Sequence, residues 1–263
     1  MTGPTPADLL AVAVEAGRAA GRHAVDQRHR RRETLVVSDH DVKLRLDVEC
    51  QEVAEVVIRS AYPDHDFFGE EGGELRADPD TIQWVVDPID GTVNFSHGLP
   101  LWGNSVAAMW GGETVAGAIA LPDLGETYTA TTDQPALCNG EPIRASEATR
   151  LADAILTCGL SGKLDSEGDE ILGDYARMVR KAQKVRQLGS AAVMLAYVAC
   201  GRVEAYYEPR IHLWDIAAGN LIAARAGARF EIFRHFGPVT MQYLCAAPGV
   251  FGALRELVTG AGA

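Results

Sequence analysis

The 263-residue sequence is poor in cysteine and in positive charge, and it has no long hydrophobic run. Its five cysteines are scattered and form no C-x-x-C pair, so the pattern indicates neither a disulfide framework nor a zinc site. No apolar run approaches the length that spans a bilayer, and the N-terminus lacks the basic start of a signal peptide. We therefore expect a cytoplasmic protein with no membrane partner.

The charge balance also limits the partners. The 24 basic residues are outnumbered by 36 acidic ones, which gives a formal charge of -12 and argues against nucleic-acid binding. An anionic substrate is still compatible with this charge if bound cations neutralise both sides.

Two common hydrolase patterns are missing as well. The seven histidines include no H-E-x-x-H, and Gly189-Ser190-Ala191 lacks the second glycine of a nucleophile elbow. Zinc-protease and serine-hydrolase interpretations are therefore excluded.

The composition favours one globular unit, because 47% of the residues are hydrophobic and 23% are charged. A capping sequence at Thr5-Pro6-Ala7-Asp8 predicts a helix through 9–24, and a second helix is predicted at 44–60. Short strands follow up to about residue 130, and strands and helices then alternate. We expect a mixed α/β protein with an antiparallel N-terminal lobe, residues 1–145, and an α/β C-terminal lobe, residues 146–263, in one compact unit.

A basic cluster, Arg28 with 30–32, follows the first helix. It has two interpretations, a solvated helix end or a contact for an anionic substrate or a neighbouring subunit. We favour the first, because basic residues near a helix C-terminus are ordinary partners of the helix dipole.

The most informative segment is Trp84 to Thr92, in which a predicted strand delivers Asp87 and then turns through Pro88 past Asp90. Two carboxylates so close together repel each other unless cations lie between them. Either aspartate alone could be an acceptor in an Asx turn or a helix cap. The whole segment favours a metal site.

Two further acidic positions are weak signals when taken alone. Glu70 and Glu71 lie between glycines, where a solvated loop is the simpler interpretation. Asp215 opens a predicted helix, where a capping acid is expected.

Taken together and in order, these motifs resemble the inositol monophosphatase family of lithium-sensitive, magnesium-dependent phosphatases. The pattern reads G-E-E at 69–71, W-x-x-D-P-x-D-G-T-x-N-F at 84–95 and W-D-x-A-A-G at 214–219. Segments 188–192 and 205–208 are also similar to family segments. The resemblance covers most of the chain.

The resemblance implies a layered α-β-α-β-α sandwich, a homodimer, two or three Mg²⁺ ions and inhibition by lithium. The metal ligands that it implies are Glu70, Asp87, the carbonyl of Ile89, Asp90 and Asp215. The catalytic residues that it implies are Glu70, Thr92 and Asp47. The substrate-binding residues that it implies are Asp90, Gly91, Thr92, Gly189, Ser190, Ala191, Glu208 and Asp215.

The activity implied is hydrolysis of a small phosphate monoester, a sugar or cyclitol phosphate such as inositol monophosphate, by a metal-activated water. Such chemistry needs no covalent nucleophile, which agrees with the all-oxygen ligand set. Phosphatases for nucleoside phosphates, fructose bisphosphate or histidinol phosphate remain open. A transcription-associated scaffold without enzymatic activity is a further alternative, against which the complete carboxylate set argues.

One stretch departs from the family pattern. A third, weaker ion is often held near the position of Asp47, and a threonine is usual shortly before this acid. Here Lys43 and Leu44 precede it. The surroundings of the third ion are therefore altered, and Lys43 could instead face the phosphate.

Overall fold

The computed structural model describes residues 3–37, 42–76, 80–160 and 164–260. In these ranges the α-helices are α1 (Pro6–Asp26), α2 (Arg45–Ala61), α3 (Thr92–His97), α4 (Leu164–Lys181), α5 (Ala191–Ala199), α6 (Leu213–Arg225) and α7 (Pro248–Thr259). The strands are β1 (Thr34–Val37), β2 (Val42–Leu44), β3 (Asp66–Gly69), β4 (Gly72–Gly73), β5 (Ile82–Asp90), β6 (Gly103–Trp110), β7 (Glu113–Leu121), β8 (Glu126–Thr131), β9 (Leu137–Cys138), β10 (Glu141–Pro142), β11 (Ile155–Cys158), β12 (Lys184–Arg186), β13 (Ala205–His212), β14 (Arg229–His235) and β15 (Thr240–Ala246).

Helix α1 begins where the capping sequence predicts. The Thr5 hydroxyl accepts from the Asp8 amide at 3.2 Å, and the Asp8 carboxylate accepts from the Thr5 amide at 2.9 Å. The buried face of the helix consists mainly of alanine and glycine, so its backbone lies close to the sheet below. The predicted helix is therefore present, and it extends to Asp26.

The first large sheet has eight strands in the order β10-β9-β8-β7-β6-β5-β3-β4. Its pairs are antiparallel, as predicted for the N-terminal lobe, except for β3 and β5, which run parallel. This parallel pairing brings the carboxyl ends of β3 and β5 to the same edge of the sheet. The ends carry Glu70, which directly follows β3, and Asp90.

The second large sheet has the order β12-β11-β13-β15-β14. Strand β11 pairs parallel with β12 and β13, whereas β15 pairs antiparallel with β13 and β14. Strand β14 was not among the predicted elements. Neither was the small antiparallel pair of β1 and β2, which places Leu44 in a strand instead of a helix.

The elements stack in five layers. Helices α1 and α2 cover one face of the first sheet, and α5 and α6 lie between the two sheets. Helices α4 and α7 cover the outer face of the second sheet. Because sheets cover α5 on both sides, it is apolar almost all round, as expected for a central helix. The predicted α-β-α-β-α sandwich is confirmed.

The strands of the first sheet lie within residues 66–142 and those of the second within 155–246. The largest hydrophobic cluster joins both sheets through α5 and α6. The division of the chain at residue 145 stays a prediction. In the described part of the chain, no helix combines the length and the apolar character that crossing a bilayer requires.

Candidate metal centre

The first two carboxylates of the site come from the end of β5. All but the first residue of this strand are buried, and its pairing with β6 is irregular between Asp87 and Asp90. The exposed fractions of the two aspartates are only 1% and 8%. The Asp87 carboxylate also accepts from the Ile89 amide at 3.1 Å, which fixes the turn between them.

The third carboxylate comes from the first turn of α6. Asp215 accepts from the His212 amide at 2.8 Å, so it caps the helix as well as facing the site. The neighbouring Trp214 packs against Phe68 of β3 with ring centroids 5.5 Å apart. This contact holds the start of α6 beside the carboxyl end of the first sheet.

The fold brings Asp215 to Asp87 and Asp90, although more than a hundred residues separate it from them in sequence. Asp87, Asp90 and Asp215 each offer a carboxylate oxygen, and these oxygens lie within 4.8 Å of one another. An all-carboxylate set of this kind is suited to a hard divalent cation.

The electrostatics of the group also fit a cation. Burial, followed by the charges of Glu70 and Asp90, raises the pKa of Asp87 well above its ordinary value. Burial raises the pKa of Asp90 to about 6, although hydrogen bonds from Ser190, Ala192 and Ala191 oppose this rise. A divalent cation among the carboxylates would offset the cost of burying their charge and the repulsion that Glu70 and Asp90 exert on Asp87.

Glu70 and Asp47 extend the acidic group toward α2. Glu70 has access to solvent. Its pKa is nevertheless raised well above the ordinary value, first because protein surrounds the carboxylate and then because of the charges of Asp215 and Asp47. Asp47 is 2% exposed and accepts from the Leu44 amide at 2.6 Å at the start of α2. Glu70 is therefore coupled by charge both to Asp215 and to Asp47.

The backbone after Asp90 is shaped by Gly91, whose φ of +89° is a left-handed conformation that glycine adopts without strain. A Cβ atom here would lie 3.0 Å from the Leu101 carbonyl oxygen and from the Ser190 Cβ. Helix α3 starts at the next residue, Thr92, whose hydroxyl donates to the Ile89 carbonyl at 3.0 Å. The predicted short helix after this turn is present.

The start of α5 is tied to the same turn. The Ser190 hydroxyl donates to Asp90 at 2.7 Å and accepts from the Val193 amide at 3.2 Å, and the Ala192 amide also donates to Asp90. Of the predicted substrate residues, Ser190 and Ala191 thus direct hydrogen bonds at Asp90. Gly189, which precedes them, has a φ of +74°.

Asn94 was not predicted as a site residue, although it lies in the quoted motif. Its side-chain amide donates to the carbonyls of Leu101 at 2.6 Å and Leu188 at 2.7 Å. It therefore joins α3 to the segment that leads into α5. An asparagine two residues after a Gly-Thr turn was the available signal.

Glu208 lies on β13 and is 3% exposed. Its carboxylate accepts from the Tyr206 hydroxyl at 2.9 Å and fills the space that a side chain at Gly159 would need. The charges of Glu208, Asp215 and Asp90 all act on Tyr206, so this buried tyrosine lies among them. Tyr206 was not predicted as a site residue, although it lies in the quoted segment 205–208.

Two of the four arginines in the basic cluster after α1 form ion pairs within the fold. Arg28 pairs with Asp123 at 2.6 Å, and Arg30 pairs with Glu49 at 2.7 Å and with Glu33 at 3.0 Å. The choice between the two interpretations of the cluster stays a prediction.

Comparisons with known proteins concern the chain and its fold as a whole. A sequence model of the inositol monophosphatase family matches residues 6–258. The Nus factor SuhB of Pasteurella multocida is 36% identical over 222 residues, which cover 83% of each chain. The inositol-1-monophosphatase of Mesorhizobium japonicum is 34% identical over 222 residues, which again cover 83% of each chain. The IMPase of Thermotoga maritima superimposes with a TM-score of 0.83 at 31% identity and covers 96% of this chain and 97% of its own.

Proposed function

Because this chain belongs to the inositol monophosphatase family, we propose that it is a magnesium-dependent phosphatase that hydrolyses a small phosphate monoester, a sugar or cyclitol phosphate. The observation that carries the proposal is the convergence of Asp87, Asp90 and Asp215 within 4.8 Å at the joint edge of β5 and α6. Unaided hydrolysis of such esters is extremely slow, and cations held by these carboxylates would stabilise the negative charge of the transition state.

In this proposal Asp87, Asp90, Asp215 and the Ile89 carbonyl would hold magnesium, together with Glu70. When bound, Mg²⁺ withdraws charge from the phosphoryl group and from the departing oxygen, and it acidifies a water. The Ile89 carbonyl accepts one hydrogen bond, from Thr92, and a carbonyl oxygen has a second lone pair for a cation.

The residues around the ligands would place the attacking water and take its proton. The Thr92 hydroxyl gives its hydrogen to Ile89, so its oxygen can still accept a hydrogen bond from that water. Glu70 has solvent access beside these ligands, and its carboxylate would accept the proton. Asp47, whose charge acts on Glu70, would keep that carboxylate basic.

The alcohol part of the substrate would lie toward α5 and β13. Gly91 and Thr92 would hold the phosphate, while Gly189, Ser190, Ala191 and Glu208 would line the pocket of the leaving group. Glu208 already accepts from the Tyr206 hydroxyl, and a carboxylate has further lone pairs for the hydroxyls of a polyol. This chemistry favours a cyclitol or sugar over an apolar alcohol.

A second candidate function comes from the names of several relatives, which are called Nus factor SuhB. A scaffold that contacts the transcription machinery would not need clustered buried carboxylates. We therefore place this role second, as an addition to hydrolysis, and we propose a homodimer for either role.

The test is phosphate release from inositol 1-phosphate, fructose 1,6-bisphosphate, a nucleoside monophosphate and histidinol phosphate, each with Mg²⁺ and with excess chelator. We expect turnover of the polyol phosphates in Mg²⁺ and none in chelator. Lithium should inhibit, as the family resemblance implies. Release that is equal for all four substrates, or absent for all four, would contradict the proposed substrate class or the proposed activity.

A further inference from the structure

Lys43 is a positive charge beside the carboxylates of Glu71, Glu70 and Asp47. It lies on β2, and its ammonium forms an ion pair with the carboxylate of Glu71. The Glu71 side chain is only 4% exposed, whereas that of Lys43 is 40% exposed. The carboxylate of the pair is therefore held inside the protein, whereas the ammonium has access to solvent.

The Glu71 end of the pair is fixed to α2. The side-chain oxygen of Gln51 accepts from the Glu71 amide at 2.9 Å, and the same carboxamide lies against Gly69, where a Cβ atom would collide with it. Gln51 is one helical turn after Asp47, so both side chains lie on the same face of α2. Lys43, Glu71 and Asp47 thus have a defined arrangement.

Three carboxylates act on the ammonium. The hydrogen bond to Glu71, and then the charges of Glu71, Glu70 and Asp47, raise the pKa of Lys43 above its ordinary value. The lysine is therefore cationic throughout the neutral range. It cancels one of the three negative charges on this side of the site.

Leu44, the residue next to Lys43, also disfavours a bound cation beside Asp47. Leu44 is fully buried and apolar, and its contact with Asp47 is a backbone amide that donates at 2.6 Å. It offers no side-chain oxygen beside Asp47. On β2, Leu44 thus provides no side-chain ligand beside Asp47, and Lys43 adds a positive charge to the surroundings of this carboxylate.

We propose that Lys43 is a tethered cation that takes the place of a third divalent ion beside Asp47 and limits each chain to two bound magnesium ions. This inference rests on the proposed function, because it presupposes that Asp87, Asp90 and Asp215 bind magnesium. A fixed ammonium repels a divalent cation a few ångströms away, and this repulsion is strong where protein displaces water.

The experiment counts bound Mn²⁺ by the electron paramagnetic resonance of the free ion, after removal of metals by chelation and dialysis. Wild type is compared with Lys43→Met, with the charge-preserving Lys43→Arg and with Lys184→Met, a control at an exposed lysine of β12 in the other sheet. We expect two ions for wild type, Lys43→Arg and Lys184→Met. Lys43→Met should bind a third ion at least about tenfold more tightly than wild type does.

Melting in chelator shows whether each variant is folded, and Lys43→Gln replaces the methionine variant if the latter is not. Unchanged Mn²⁺ binding by Lys43→Met would overturn the inference and leave the proposed function intact. If inorganic phosphate binding to the Mn²⁺-loaded variant then falls, Lys43 is a phosphate ligand instead. A wild-type chain that binds no Mn²⁺ would refute the proposed function, and the inference with it.

Discussion

At the scale of single residues, Asp90 connects the charge of the site to the start of a helix. Its carboxylate lies near those of Asp87 and Asp215 and also accepts from Ser190 and Ala192. Removing its charge should therefore affect metal binding much more than the fold, since an amide oxygen can still accept the hydrogen bonds from α5.

We expect Asp90→Asn to lower turnover by a factor on the order of hundreds, as is typical when one electrostatic group of a reaction site is lost. The melting temperature in chelator should change little or rise, because one of three repelling carboxylates is neutralised. Asp64→Asn, at an exposed position outside the site, is the control. Turnover close to that of wild type would show that Asp90 is not part of the reaction site. A large fall of the melting temperature in chelator would show that its main role is structural.

Gly91 allows a comparison between two glycines with nearly the same backbone conformation. Its φ is +89° with neighbours at 3.0 Å, whereas Gly112 has a φ of +83° and no neighbour within 4 Å of an added Cβ. Either alanine variant should lose about 1–2 kcal/mol through the left-handed backbone. Gly91→Ala should lose about 1–3 kcal/mol more through overpacking, and it should lower turnover. Equal denaturant midpoints for the two variants would argue against this close packing.

Only part of the residue-level site was predictable. The paired aspartates and Asp215 were recognisable from motifs, because their spacing is set by one strand end and one helix start. Tyr206 was not, since its place among Glu208, Asp215 and Asp90 depends on how α6 and β13 pack. The roles of all the site residues, including metal binding by Asp87, Asp90 and Asp215, stay predictions.

At the scale of elements, the start of α5 holds the C-terminal half of the site against β5. Ser190 caps this helix and donates to Asp90 with one hydroxyl. Thr5 caps α1 in a similar way, at an exposed position. The two caps provide a matched pair for separating stability from function.

Ser190→Ala and Thr5→Ala should each lose about 1 kcal/mol of unfolding free energy, the usual cost of a lost N-cap. Only Ser190→Ala should also lower turnover, since the loss of its hydroxyl removes a hydrogen bond that orients Asp90 and lowers its pKa. Urea unfolding and phosphate-release assays on both variants make the comparison. Equal effects on turnover would mean that α5 supports the fold and not the site.

Elements with strong local signals were predictable, and those that depend on tertiary pairing were not. The capping box at Thr5 and Asp8 predicted α1 correctly, and the apolar run of α5 predicted a helix. Strand β2 is only three residues long and has its partner in β1, so local sequence could not place it. Strand β14 is mostly solvent-facing and carries charged residues, which weakens the hydrophobic signal.

At the scale of the whole molecule, the buried acids make stability depend on pH and on metal. The pKa of Asp90 is raised from 3.8 to about 6 in the fold. The folded state therefore binds more protons than the unfolded state between these values, and without metal its stability falls as pH rises through this range. Bound Mg²⁺ requires the ionised carboxylates, so it should reverse this loss.

We expect the difference in melting temperature between Mg²⁺ and chelator to be small near pH 5 and to grow as pH rises through about 6. Groups far from the metal site titrate equally with and without Mg²⁺, so their effects cancel in this difference. His65, whose pKa is lowered by burial, is one such group. Scanning fluorimetry from pH 5 to 7.5 measures it. In Asp90→Asn the increase should be weaker. If the difference in melting temperature does not depend on pH, metal binding is not coupled to the ionisation of these carboxylates.

The five-layer order followed from the resemblance, because alternating helical and strand patterns leave several stacking orders open. The division at residue 145 stays a prediction, because the central helices share their core with both sheets. The homodimer also stays a prediction.

The most direct test of magnesium-dependent hydrolysis is to titrate metal-free protein with Mg²⁺ while following both phosphate release from inositol 1-phosphate and melting temperature. We predict no release before Mg²⁺ is added, and then a rise of both signals over the same range of concentration. Asp215→Asn should shift both curves together to higher Mg²⁺. Turnover that persists in excess chelator would contradict the account.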